Sequence, residues 1–106
     1  MVLYVADFYS RVARFDTNMT PETAEKQAVK QYLDLKGVFH FPLTQGLGTY
    51  KGAPDRIAIK AGKVYAIEIK AGSGKQSDYQ KQFQQSWEAN GGIYLLGGLE
   101  DIMKIL

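Results

Sequence analysis

The chain is predicted to fold as a single α/β domain, in the order helix, three strands, helix, strand, with a mixed sheet flanked by helices. Three observations carry this. Two segments, 21–36 and 78–90, have helical apolar spacing behind a capping residue. Ile57–Ile59 and Val64–Ile69 read as a hairpin turning at Ala61-Gly62. The length of 106 residues suits one core and not two.

Thr20-Pro21 marks the first helix start, a hydroxyl N-cap followed by proline at the first helical position. The helix runs to about Lys36 and stops at Gly37. Ala28, Val29, Tyr32 and Leu33 form its apolar stripe, with Ala24 and Leu35 at the margins. Val38–Pro42 is a short strand, followed by a glycine-rich loop at 44–54. Strand 64–70 has apolar residues on both faces, which places it centrally. Ser77 caps the second helix, in which Tyr79, Phe83 and Trp87 at four-residue spacing are expected to face the core. Gly91-Gly92 ends it. Ile93–Leu96 is a further strand, and 99–106 is a short helix or a terminal strand. Residues 2–15 fit either a strand or a helix, and 16–18 a turn or linker; 1–19 are read as an unassigned N-terminal extension and 20–106 as the domain.

Composition narrows the class. The formal net charge of +2 permits a nucleic-acid partner without demanding one. Without cysteine there is no disulfide framework or thiolate zinc site, which suits a reducing cytoplasm. The apolar start is broken by Asp7, Arg11 and Arg14, so it reads as neither signal peptide nor membrane span. A lone histidine, His40, rules out a multi-histidine metal site; it is expected to pack or to touch a phosphate. Gly72-Ser73-Gly74-Lys75 lacks the P-loop spacing and has Gln76 where Ser or Thr is required, so no nucleotide cofactor is expected.

The chemistry gathers in GAPDRIAIKAGKVYAIEIK, residues 52–70. A two-residue turn at 61–62 makes Lys60 and Lys63 partners and, counting outward, sets Asp55 opposite Glu68. Opposed side chains share a face, roughly 5 Å apart at Cβ. Lys70, two residues on, returns to that face. A one-residue slip would undo the pairing, and Ala61-Gly62 is not an ideal hairpin turn. Two carboxylates this close repel unless a cation lies between them, and Mg²⁺ or Mn²⁺ takes oxygen ligands of this kind. Such an ion lowers the pKa of a water and neutralises charge on a phosphate. Lys70 would then orient or help deprotonate that water, or balance charge on the phosphorane, and the backbone carbonyl of Ile69 is a further candidate ligand. The plain alternative is a surface hairpin with an incidental ion pair.

Other residues have equally plain readings. Glu22 and Glu25 suit the first turns of a helix, where an acid favours the dipole. Gln80 completes a Ser-x-x-Gln capping box with Ser77. Lys51, Arg56, Lys75 and Lys81 are placed near the carboxylates as candidate contacts to nucleic-acid phosphates, or are solvated charges. Tyr50 stacks on a base or anchors its loop.

Taken together, TPE at 20–22, GAPD at 52–55, IEIK at 67–70, SDYQ at 77–80 and a closing GGIY strand resemble the VRR-NUC (virus-type replication-repair nuclease) domain of the PD-(D/E)xK superfamily. The match runs in order over residues 20–97. It implies a restriction-endonuclease-like core and metal-binding roles for Asp55, Glu68 and the Ile69 carbonyl. It makes Lys70 the catalytic lysine. Glu22 matches the first-helix glutamate, with Glu25 as the other candidate, and Gln80 matches a glutamine that positions the lysine or phosphate. Stand-alone members, usually phage-borne, look like structure-selective enzymes that resolve Holliday junctions as dimers. The expectation is therefore a cytoplasmic, Mg²⁺- or Mn²⁺-dependent DNA endonuclease, of a bacterium or a phage-infected cell, acting on four-way junctions as a homodimer. The rivals are a flap, single-strand or duplex nuclease, a catalytically idle DNA-binding module, and a structural protein.

Overall fold

The computed structural model describes residues 19–44, 46 and 48–106. The readings at 2–15 and 16–18, and any part of the extension in a dimer, lie outside the described residues.

Helix α1 (Pro21–Leu35) begins as its sequence dictates: the Thr20 hydroxyl accepts from the Thr23 amide at 3.2 Å. It ends at Gly37, whose φ of +68° lets Val38 N–H reach back to the Leu33 carbonyl at 3.0 Å. Strand β1 (Phe39–Pro42) pairs antiparallel with β2 (Arg56–Lys60), and β2 pairs antiparallel with β3 (Lys63–Ile69). Helix α2 (Asp78–Ala89) then carries the chain across to β4 (Ile93–Gly97), parallel to β3. The sheet order is β1-β2-β3-β4, so β3 is flanked on both sides, as its apolar faces required. The last segment resolves as helix α3 (Leu99–Met103). The Glu25 carboxylate decides it, accepting from the Leu99 amide at 2.8 Å.

The hairpin register is the expected one. Lys60 pairs with Lys63 and Arg56 with Ile67. Ala61 (φ +51°) and Gly62 (φ +78°) both lie in the left-handed region, as a type I′ turn needs.

Pleating sorts the sheet into two faces. Ala58, Tyr65, Ile67 and Ile69 pack against α1 and α3, burying Val29, Leu33, Leu99 and Ile102. Each fully buried Leu or Ile here contributes about 1.5–3 kcal/mol. Ile57, Ala66 and Tyr94 take the other face, under Phe83 and Trp87 of α2. The Phe83 and Trp87 rings stack with centroids 5.5 Å apart, and Trp87 Nε1 donates to the Ile93 carbonyl at 2.9 Å. Tyr79 corrects the expected apolar face of α2. It is 52% exposed: its backbone lies against Gly52 and its ring faces outward, while Gln80 makes the contact to the sheet. Its ring carries the Lys51 ammonium, 5.0 Å from the centroid.

Candidate active site

Asp55 stands one residue before β2, held through both its backbone N–H and its carbonyl. Its N–H donates to the Ile67 carbonyl and its carbonyl accepts from Leu43 N–H, each at 3.0 Å. Its side chain continues the pairing: Oδ2 accepts from the Ile69 amide at 2.7 Å. The carboxylate thus replaces a strand carbonyl, which fixes its orientation against β3. Since Ile67 C=O and Ile69 N–H both face β2, strand alternation turns the Ile69 carbonyl to that same edge.

Glu68 lies on the α2 face of β3 and is only 4% exposed. Oε1 accepts from Gln80 Nε2 at 2.7 Å and lies 3.7 Å from Lys70 Nζ. Oε2 is buried with no hydrogen-bond partner. Burial, and then the nearby Asp55 charge, push the Glu68 carboxyl up to about 7, against the pull of Lys70 and Lys26.

The Gln80 side chain serves two purposes at once. Its Oε1 accepts from Ser77 N–H at 2.9 Å, and Ser77 Oγ accepts from Gln80 N–H at 3.2 Å, completing the capping box. Its amide nitrogen remains free to reach Glu68. The approach of α2 depends on Gly52, since a Cβ there would stand 2.1 Å from the Tyr79 carbonyl oxygen.

Glu22, Asp55, Glu68, Lys70 and Gln80 line one cleft of ≈ 550 Å³, with Tyr50 and Lys51 on its wall. The Tyr50 ring meets Phe83 edge-on at 5.9 Å while remaining 69% exposed. Glu25 is absent from this cleft, being turned to the α3 amide. Lys75 and Lys81 are exposed and do not line it.

Arg56 stands apart from its expected place beside the carboxylates. As the neighbour of Asp55 it takes the α1 side of the sheet, where Nη1 donates to His40 Nδ1 at 2.7 Å. A guanidinium can only donate, so His40 Nδ1 accepts and Nε2–H donates to Asp34 Oδ1 at 2.6 Å. His40 therefore packs as a structural bridge. Its bond to Asp34, with that of Lys30, holds the Asp34 carboxyl below its usual range.

Lys26 was not among the residues singled out from sequence. Its ammonium lies 3.2 Å from Asp55 Oδ1 and 3.5 Å from Glu22 Oε2. Burial opposes its charge, but Asp55 and Glu22 outweigh that and hold its pKa above the ordinary lysine value. The available signal was its spacing, one helical turn from Glu22.

Among the described residues, no three His, Cys, Asp or Glu side chains converge closely enough to hold a metal by themselves. The oxygen donors at this end of the sheet are Asp55 Oδ1, the orphaned Glu68 Oε2 and the Ile69 carbonyl on the β2 edge of its strand. That set fits a hard divalent cation: all oxygen, two charged, one buried without a partner, and one already facing a cation.

The domain is thus a four-stranded mixed α/β sheet that gathers two carboxylates, a lysine and a glutamine at one end. A solved VRR_NUC domain has the same fold, with a TM-score of 0.66 and 19% identity over 82% of this chain and 95% of that one. No family model and no curated protein matches the sequence.

Proposed function

We propose that this chain is a metal-dependent DNA endonuclease that hydrolyses phosphodiester bonds through Asp55, Glu68 and Lys70. The observation that carries the reading is Glu68, which lines the same cleft as Asp55 and buries its Oε2 without a partner. Folding alone gives no reason to bury a carboxylate with an unsatisfied oxygen, because desolvation makes that costly. The VRR_NUC fold and the matching motifs lend the reading a second, independent support.

In this reading Asp55 and Glu68, with the Ile69 carbonyl, would hold a Mg²⁺ or Mn²⁺ ion, which would supply an acidified water and charge neutralisation. Gln80 holds Glu68 in one rotamer through its amide nitrogen. Lys70, on the Glu68 face, orients the attacking water and balances charge on the phosphate. Glu22 lines the cleft mouth and completes its negative wall. Lys51, on the cleft wall, meets a DNA phosphate. Lys75 and Lys81, on the exposed flanks of the 70–81 segment, would extend that contact along the strand.

The substrate we assign is branched DNA, in particular a four-way junction, cut by a homodimer in the cytoplasm. Its support is the motif resemblance to stand-alone VRR-NUC enzymes, together with geometry: symmetric incision needs two sites, and this domain supplies one. No helix among the described residues is long and apolar enough to cross a membrane.

The test is cleavage of labelled four-way junction and linear duplex with Mg²⁺, with Mn²⁺ and with chelator. Cutting that needs metal, and that disappears in Asp55→Ala and Lys70→Ala while the fold is retained, is the expected result. No cleavage of any DNA with either metal would overturn the enzyme reading. Equal cutting of duplex and junction would leave a nuclease and remove the junction assignment.

A further inference from the structure

The two central carboxylates have few free oxygens. Asp55 Oδ2 is taken by the Ile69 amide, and Oδ1 faces Lys26 Nζ at 3.2 Å. Glu68 Oε1 is taken by Gln80, leaving Oε2 without a partner. Asp55 Oδ1 is the oxygen of its carboxylate turned away from the Ile69 amide, so it is the one best placed to take a cation, and it is the oxygen that Lys26 holds. A divalent ion and an ammonium on one oxygen repel each other strongly at such short range.

We propose that Lys26 is a displaceable internal counter-ion, occupying the cation position at Asp55 until a divalent metal competes it away. The proposal rests on the metal-dependent reading above. Three features let the exchange happen locally. The Lys26 side chain is 44% exposed, so its ammonium can swing without unpacking the core. Its helix is anchored by Ala28 and Val29, buried to 0% and 1%. Lys26 also borders a second cleft of ≈ 230 Å³ beside Arg56, so the released ammonium has solvated space on either side.

The arrangement has two coupled consequences. Without metal, Lys26 relieves the repulsion among Glu22, Asp55 and Glu68. With metal, its departure is a cost that weakens apparent affinity, because two ligands for one oxygen are linked reciprocally. A helper role, in which Lys26 merely orients Asp55 for the metal, predicts the opposite sign.

The test measures Mg²⁺ and Mn²⁺ binding calorimetrically, and melting temperature with and without metal, for the wild type, Lys26→Met and Lys26→Arg. Competition predicts that Lys26→Met binds metal about 5-fold more tightly, melts lower without metal and gains more on adding it. Lys26→Arg keeps the charge and stays near wild type. Lys26→Gln serves in place of the methionine variant if that one does not fold. If the wild type binds metal and the neutral variant binds equally or more weakly, the Lys26 proposal falls while the nuclease reading stands. If neither protein binds Mg²⁺ or Mn²⁺, both fall.

Discussion

Gln80 Nε2 donates to Glu68 Oε1 at 2.7 Å while the other end of the same amide accepts from Ser77 N–H at 2.9 Å. One side chain thus couples the start of α2 to the buried carboxylate, and the two ends are separable by substitution. Gln80→Glu keeps an oxygen for Ser77 but sets a second carboxylate against Glu68. Gln80→Ala loses both contacts, costing about 1 kcal/mol of helix-cap stability. We expect Gln80→Glu to lower the cleavage rate by at least about 10-fold with a smaller loss of cap stability. Thermal melts and single-turnover cleavage of both variants check this; equal rates for Gln80→Glu and wild type would remove Gln80 from the site.

Glu68 makes stability depend on pH. Its carboxyl sits at about 7 in the fold against 4.5 for the ordinary group, raised chiefly by burial. Between those values the folded chain holds the proton and the unfolded chain does not. The contribution is therefore fully present below pH 4.5 and lost as pH rises through 7. It amounts to on the order of 3 kcal/mol. Denaturant unfolding in chelator should show the wild type losing stability over this window relative to Glu68→Gln. A parallel pair of curves would show that Glu68 titrates normally.

Gly52 is needed for space as well as for backbone freedom. It has φ +80°, and a Cβ would lie 2.1 Å from the Tyr79 carbonyl oxygen. Gly62 has nearly the same φ, +78°, with open space around it. Gly62→Ala should cost about 1 kcal/mol. Gly52→Ala should cost more than about 2 kcal/mol, because helix and loop must also move apart. Urea unfolding of the pair measures the difference.

Ala61 holds φ +51° in the hairpin turn, a conformation asparagine and glycine adopt more readily. Ala61→Asn should stabilise the chain by about 0.5–1 kcal/mol, and its cleavage rate should stay at the wild-type value. A fall in melting temperature would contradict the turn assignment.

Much of the site was already legible from local rules. The turn at 61–62 set the register, and period-two alternation put Glu68 and Lys70 on one face. The capping box marked where α2 begins, without saying that its glutamine had a second bond to make. The same alternation had already separated Arg56 from Asp55, since adjacent strand residues face opposite sides; placing both at one site overlooked it. Tyr79 failed for another reason. Its four-residue spacing with Phe83 and Trp87 is genuine, but at the first turn of α2 it is Gln80 that meets the sheet, through Glu68, while the Tyr79 backbone lies against Gly52.

Neighbours a few residues apart in the chain settle the helix starts, the hairpin register and the shared face of Glu68 and Lys70. These depend on capping, turn conformation and pleat, which are local. Three features come from packing alone: Glu22 and not Glu25 enters the cleft, Lys26 sits on Asp55, and Glu68 is buried with one oxygen unpartnered. Each of these depends on how α1 and α2 pack across the end of the sheet. Long-range packing sets desolvation and charge proximity, and those turn a hairpin with two carboxylates into a site that calls for a cation.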